Sequence, residues 1–275
     1  MLYIKHLLKN NMITFIVATY NAGRTLRACL TSFRYQTDKN FRLIIIDGMS
    51  DDNTINIIKE FEDVVEKWIS EEDRGIYDAW NKALDHVETD WVAFLGADDR
   101  LMDENSIKNL NILSENNDAD FIYGKTAFHD LSDREVWVQA NSWNAIRDDF
   151  FKGIMKIPHP GMLHKACLFK EYGTYDISYK ISSDYEFILR VLLKKESIVF
   201  SGVNSQVIIQ EGGISHDYKS RIKSLEEVRS ILKKHEQNVN NLKLRLYMFR
   251  TKCLYILSRF LGDSGTKALR KILNE

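Results

Sequence analysis

Between residues 12 and 113 the spacing of apolar and polar positions changes several times, and each change marks an element. Ile13-Thr14-Phe15-Ile16-Val17-Ala18 is a largely β-branched run of buried-strand length, followed by Leu26, Cys29, Leu30 and Phe33 at helical spacing. Leu43-Ile44-Ile45-Ile46 predicts a second buried strand, closed by Asp47-Gly48. Asp51-Asp52-Asn53 opens a helix bearing Ile55, Ile57, Ile58 and Phe61, because acidic and amide side chains suit the positive end of a helix. Residues 64–70 predict a third strand, 77–86 a helix and 91–95 a fourth strand. Continuous apolar strands alternating with helices imply an α/β fold, a mostly parallel sheet covered on both faces. Right-handed crossovers gather the strand-to-helix loops at one edge, where such sheets bind ligands. Polar residues do follow the strands: Thr19-Tyr20-Asn21, Asp47, Glu71-Glu72-Asp73-Arg74 and Asp98-Asp99.

After Leu113 the alternation fades. Phe121-Ile122-Tyr123 and Val136-Trp137-Val138 predict strands of a mixed sheet, and 154–163, which holds both prolines, predicts a loop. Residues 184–193 read as a helix, 198–209 as strand, and Glu211-Gly212-Gly213-Ile214-Ser215-His216 as a flexible segment. From 218 to 273 the pattern is nearly all helical. Two regions follow: 12–217 as the α/β domain and 218–275 as a basic, amphipathic helical appendage. Leu2-Tyr3-Ile4-Lys5-His6-Leu7-Leu8 is too short and polar for a secretory h-region and reads as a frayed leader.

Composition removes several classes. With 44% hydrophobic and 28% charged residues the chain of 275 is an ordinary globular one. Its three cysteines are widely spaced, without a C-x-x-C pair, which disfavours a zinc knuckle and a disulfide framework and makes the cytoplasm the expected compartment. The net charge of −1 conceals a split: residues 1–218 carry 24 Lys and Arg against 34 Asp and Glu, residues 219–275 carry 14 against 5. No run of 18 apolar residues exists to span a bilayer. Neither a G-x-G-x-x-G nor a G-x-x-x-x-G-K-[ST] loop follows the first strand, and no G-x-S-x-G elbow supports a hydrolase. What remains is a group of carboxylates at the sheet edge. Carboxylates repel phosphate unless a divalent cation stands between them, so the group suggests a metal–diphosphate site.

Four motifs in order, Ile16-Val17-Ala18-Thr19-Tyr20-Asn21, Ile46-Asp47-Gly48-Met49-Ser50-Asp51-Asp52, Glu72-Asp73-Arg74-Gly75-Ile76-Tyr77-Asp78-Ala79-Trp80-Asn81-Lys82-Ala83 and Phe94-Leu95-Gly96-Ala97-Asp98-Asp99, resemble the family 2 glycosyltransferases of the GT-A fold, over about residues 12–215. The resemblance implies a GT-A domain that moves a hexosyl or N-acetylhexosaminyl group from a nucleotide-sugar, a UDP-sugar by expectation, with inversion. It assigns Thr19, Tyr20, Asn21 and Asp47 to the base and ribose, and Asp73 and Arg74 to the donor. Asp98 goes to the donor sugar or ribose and Asp99 to a Mn2+ or Mg2+ ion. Position 97 is alanine, a departure from a full D-x-D motif. Asn81 and His159 are further donor- or acceptor-side candidates, and His216 a second metal candidate. Asp184, in Ile181-Ser182-Ser183-Asp184-Tyr185-Glu186, is the expected general base, since an acceptor hydroxyl must lose its proton as it attacks; Glu186 is the rival. Each residue also has a plain structural role open to it, as a cap, turn or core polar group.

In the tail, Leu242, Leu246, Phe249, Cys253, Leu254, Ile256, Leu257 and Phe260 recur in helical rhythm among Lys243, Arg245, Arg250, Lys252 and Arg259. A basic amphipathic helix suits an anionic membrane face, each cation contributing on the order of 1 kcal/mol; packing on the catalytic domain or in a homodimer is the other expectation. The setting implied is bacterial surface polysaccharide synthesis on a glycan or polyprenyl-linked acceptor, at the inner face of the membrane. A sugar nucleotidyltransferase would need a Gly-rich basic loop that residues 19–24 lack, and a catalytically inactive scaffold would not need Asp98, Asp99 and Asp184. The acidic body disfavours nucleic acid as a partner.

Overall fold

The computed structural model describes residues 12–129, 135–139, 141–202, 206–210 and 218–272; for 136–139 and 261–272 it describes the backbone alone. In chain order the elements are β1 (Ile13–Thr19), α1 (Leu26–Arg34), β2 (Phe41–Asp47), α2 (Thr54–Glu60), β3 (Lys67–Ser70), α3 (Ile76–Leu84), β4 (Trp91–Gly96), β5 (Arg100–Leu101), α4 (Ser106–Glu115), β6 (Phe121–Tyr123), β7 (Thr126–His129), β8 (Glu135–Gln139), α5 (Trp143–Phe150), β9 (Leu163–Lys165), α6 (Cys167–Glu171), α7 (Ser183–Leu192), β10 (Ile198–Phe200), β11 (Val207–Gln210), α8 (Tyr218–Lys234) and α9 (Leu242–Ile272).

Among the described residues, seven strands form the central sheet in the order β10-β6-β9-β4-β1-β2-β3. All run parallel except β9, which is antiparallel to both β4 and β6. Because successive side chains of a strand point to opposite faces, the apolar runs divide. Ile16, Ile44, Ile46 and Phe94 pack on one face with Trp80 and Ala83 of α3, Phe187 of α7 and Leu232 of α8. Phe15, Val17, Leu43 and Ile45 pack on the other with Leu26, Leu30 and Phe33 of α1 and Ile57 and Ile58 of α2. Both faces are therefore dry, and each fully buried Leu, Ile or Phe contributes about 1.5–3 kcal/mol. A second sheet, β5-β11-β7-β8, stands beside the first.

The predicted α/β architecture, a mostly parallel sheet covered on both faces, is what the chain folds into, with local shifts. Strand β3 starts at Lys67 rather than Val64, because the Val65 N–H turns back to Phe61 O and ladder bonding begins only with Glu66 N–H to Leu43 O. The stretch 198–209 divides into β10 and β11, which serve different sheets. The proline-bearing loop 154–163 runs straight into β9, and α5 and α6 fall where periodicity suggests nothing regular. Residues 1–11, the expected leader, and 211–217, the expected flexible segment with His216, lie outside the described residues.

Helix α8 joins the α/β body. Leu225, Val228, Ile231 and Leu232, with Leu244 of α9, belong to the same core cluster as Phe94 and Phe187. The fully buried Glu186 of α7 meets Lys234 Nζ at 3.0 Å, His235 Nε2 at 2.8 Å and Arg190 Nη2 at 3.1 Å. Charge withdrawn from water is tolerable only with such partners. The two regions read from the sequence, 12–217 and 218–275, thus share one core.

Gly161 tests this packing, since it holds φ at +75° and an added Cβ would stand 2.3 Å from Val207 Cγ2. Gly161→Ala should cost about 2–4 kcal/mol through left-handed strain and overpacking, read as a lower thermal midpoint.

Candidate functional site

The carboxyl ends of β1 and β4 open onto a cavity of about 750 Å³. Its wall includes Thr19, Tyr20, Asn21, Asp73, Asp98 and Asp99, with Tyr77 and Trp80 of α3, Lys180 and Ile181 before α7, and Phe128 and Gln210 from the second sheet.

One buried carboxylate fixes the floor. Asp47 Oδ1 accepts from Thr19 Oγ1 (2.8 Å) and Ser50 Oγ (2.5 Å); Oδ2 accepts from the Ser50 N–H (2.9 Å) and Ser70 Oγ (2.7 Å). Asp47 has no exposed surface and does not line the cavity. The Asn21 N–H donates to Ser50 Oγ (2.8 Å) and its side-chain oxygen accepts from the Asp51 N–H (3.0 Å), which holds the residue at a φ of +48°. Tyr20, on that bend, is 68% exposed and lines the cavity.

Asp98 and Asp99 converge over Gly96. A Cβ there would lie 2.5 Å from Asp98 Oδ1 and 3.1 Å from Asp99 Oδ2, so only glycine leaves room for both carboxylates. Asp99 accepts from the Gly96 N–H at 2.9 Å and from the Gln210 backbone, yet burial and the neighbouring Asp98 charge push its pKa up to about 8. Two such carboxylates at a cavity wall suit a hard divalent cation, whose remaining ligands would be water and phosphate oxygens. Among the described residues no group of three or more His, Cys, Asp and Glu could complete a protein cage. The buried Cys29 thiol beside them is pushed well above its usual range by burial and the two carboxylates.

A second device lies at the start of α7. The Tyr77 hydroxyl shares its proton between Ile181 O (2.7 Å) and Asp184 Oδ1 (3.0 Å), and the Tyr185 N–H donates to the same Asp184 oxygen at 2.8 Å. Asp184 thus sits directly behind a cavity-lining tyrosine, and burial raises its pKa to about 6. Glu227 of α8 accepts three successive backbone N–H groups ahead of α7: Lys180 at 2.9 Å, Ile181 at 2.9 Å and Ser182 at 3.0 Å. Its charge also pushes the Asp184 pKa upward.

Not every candidate gathers here. Arg74 does not line the cavity; its side chain is 70% exposed, with Nη2 3.2 Å from Asp78 Oδ1. Asn81 spends both ends of its amide on the Tyr175 backbone, donating at 2.8 Å and accepting at 3.0 Å. His159 is buried one layer behind the wall, stacked on Trp80 with centroids 5.2 Å apart and 3.2 Å from the Tyr175 hydroxyl; burial lowers its pKa to about 3, so it is neutral. Glu186, the rival base, is wholly buried against Arg190, Lys234 and His235. His216 lies outside the described residues. Tyr77, Lys180 and Glu227 were not singled out from the sequence. Tyr77 does fall inside the third motif, but nothing in the spacing of Lys180 or Glu227 announces either.

The family model described as glycosyl transferase family 2 matches residues 14–171. A PGL/p-HBAD biosynthesis glycosyltransferase of Mycobacterium tuberculosis is 31% identical over 183 residues, 65% of this chain and 69% of the relative. Glycosyltransferase GlyA of Streptococcus pneumoniae is 27% identical over 214 residues, 70% of this chain but 30% of GlyA. In structure, residues 1–349 of Staphylococcus aureus TarS with UDP-GlcNAc superpose at a TM-score of 0.63, with 16% identity, over 80% of this chain and 66% of that one, just under two thirds of its length. The mannosyltransferase PcManGT of Pyrobaculum calidifontis with GDP-Man and Mn2+ superposes at 0.60, with 16% identity, over 93% of this chain and 73% of that one.

Removing the Glu227 carboxylate would leave three loop N–H groups to water. Glu227→Ala should lower stability by about 2 kcal/mol, and Glu227→Gln, which keeps one acceptor oxygen, by about half as much. Both are read from chemical unfolding midpoints.

Proposed function

The chain belongs to glycosyl transferase family 2, and on that premise we propose that it transfers a sugar from a UDP-sugar to a hydroxyl of a glycan or polyprenyl-linked acceptor, with inversion, in the assembly of a bacterial surface polysaccharide. What carries the reading is one cavity that gathers the loop after β1, the Asp98–Asp99 pair and Tyr77, with Asp184 bonded to the Tyr77 hydroxyl behind the wall, at the edge where parallel sheets take ligands. The UDP-GlcNAc held by TarS favours UDP as the donor base, and the GDP-Man held by PcManGT keeps GDP in the test.

In this reading Thr19, Tyr20, Asn21 and Asp73 receive the nucleoside, and Asp47 acts through Thr19 and Ser50. Asp98 meets the ribose or donor sugar. A Mn2+ or Mg2+ ion held at Asp99 would offset the charge of the leaving diphosphate, with His216 as a further candidate ligand. Arg74, Asn81 and His159 support the donor site from its rim and its second layer. Asp184 takes the acceptor proton while the acceptor oxygen bonds to the anomeric carbon. The bond from that carbon to the diphosphate breaks with its electron pair leaving on the nucleotide, so the configuration inverts in one displacement. Tyr77 holds the base at a fixed oxygen, and its own proton is retained because burial and the Asp184 charge raise its pKa.

Thermal unfolding with UDP, GDP, dTDP or CMP, each with Mn2+, Mg2+ or chelator, tests the donor site. A nucleotide at about 100 times its Kd should add roughly 2.7 kcal/mol. UDP should stabilise in the presence of metal, and Asp99→Ala should abolish the metal dependence. If no nucleotide stabilises the protein, a binding or scaffold role replaces catalysis.

The base has its own test. Asp184 must be ionised to accept a proton, so kcat/KM should rise with pH through a midpoint near 6. Asp184→Asn should cut turnover by roughly 10²- to 10⁴-fold while keeping nucleotide stabilisation. Full turnover in that variant would place the base elsewhere.

A further inference from the structure

Helix α9 has two faces that do different work. Leu244, Thr251 and Leu254 are buried, Leu244 within the core cluster that α8 shares. At 3.6 residues per turn, Leu242, Leu246, Phe249, Ile256, Leu257 and Phe260 fall within a stripe about 100° wide on the opposite side. All six are exposed, Phe249 at 69% and Phe260 at 83%. Lys243 and Arg250 border one edge of the stripe, and Arg245, Lys252 and Arg259 the other, with no acidic residue between 242 and 262. Among the described residues no helix is long and apolar enough to cross a membrane.

An apolar stripe of this extent is an interaction surface. Its borders decide what covers it. In a two-fold dimer the same patch faces itself, which would bring the cationic edges of two copies together. An anionic lipid surface satisfies both parts at once, apolar side chains entering the headgroup boundary and cations meeting phosphates. Lys243 pairs with Asp149 (2.6 Å) and Lys252 with Glu226 (3.7 Å), the two lysine side chains themselves staying 61% and 52% exposed. Such pairs are weak in water and leave both ammonium groups within reach of a headgroup. Residues 1–218, with ten more acids than bases, are repelled by the same surface, so this face alone can lead.

We propose that α9 lies in the plane of an anionic bilayer surface, its Leu242–Phe260 stripe inserted at the headgroup boundary while its opposite face holds the catalytic body. The inference is independent of the donor and acceptor, and its readout needs no turnover.

The test is co-sedimentation of the full chain with phosphatidylcholine vesicles, with and without about one third phosphatidylglycerol, at low and high salt. Binding should be about tenfold or more stronger to the anionic vesicles and should fall with salt, since neither signal alone anchors firmly. Phe249→Glu combined with Phe260→Glu changes two side chains that already face solvent, so its melting point and nucleotide response should match the native chain while vesicle binding is lost. Three results would overturn the proposal. One is equal binding to neutral and anionic vesicles, and a second is binding by the double variant as strong as the native chain. The third is absence of vesicle binding together with a concentration-dependent dimer that the double variant abolishes, which would make a second copy the occupant.

Discussion

Asp47 ends the second strand with both carboxylate oxygens doubly engaged, and the loops that shape the cavity take their positions from it. Thr19 brings in the end of β1, Ser70 the end of β3, and Ser50 the turn that in turn holds Asn21. A buried carboxylate is tolerated there because four donors converge on it. The exposed ring of Tyr20 and the left-handed bend at Asn21 follow from this arrangement. The family resemblance gives Asp47 to the nucleotide; the structure gives it first to the scaffold that would receive the nucleotide.

Against that satisfied anion stand two that are less comfortable. Asp99 and Asp184 are both held where burial raises their pKa, Asp99 beside a second carboxylate and Asp184 behind a tyrosine. In each case the folded pKa lies above the unfolded one, so the ionised form costs stability as pH rises from the ordinary carboxylate range through the folded value. Groups kept at such a cost in a cavity wall, or directly behind one, are candidates for chemistry, one by drawing a cation and the other by accepting a proton. Asp47, equally buried but fully bonded, marks the contrast between an acid that builds and an acid that is available.

The C-terminal helices are part of this economy rather than an attachment to it. Glu227 on α8 orders the segment from Lys180 to Ser182, and Glu186 on α7 is bonded by Lys234 and His235 where α8 ends. The helix that carries Asp184 is thus held by residues 45 to 49 positions further along the chain. One consequence is that whatever engages the outer face of α9 is mechanically continuous, through Leu244 and the α8 core, with the catalytic body.

The sequence by itself determined the parallel sheet, because strands dry on both faces must be continuously apolar, and β1, β2 and β4 leave no other reading. It determined as well the acids at the strand ends and the amphipathic rhythm of α9, since period and charge are properties of consecutive residues. Only the tertiary structure decided which polar residues face the cavity. His159 and Asn81 have chemistry suited to a site, but one is stacked among aromatic rings and the other is spent on the Tyr175 backbone. Glu227 resembles any helix-surface acid until folding sets it against three N–H groups 45 to 47 residues away. The reason is physical: periodicity encodes the face on which a side chain lies, whereas its partners depend on contacts between distant segments that only the folded core brings together.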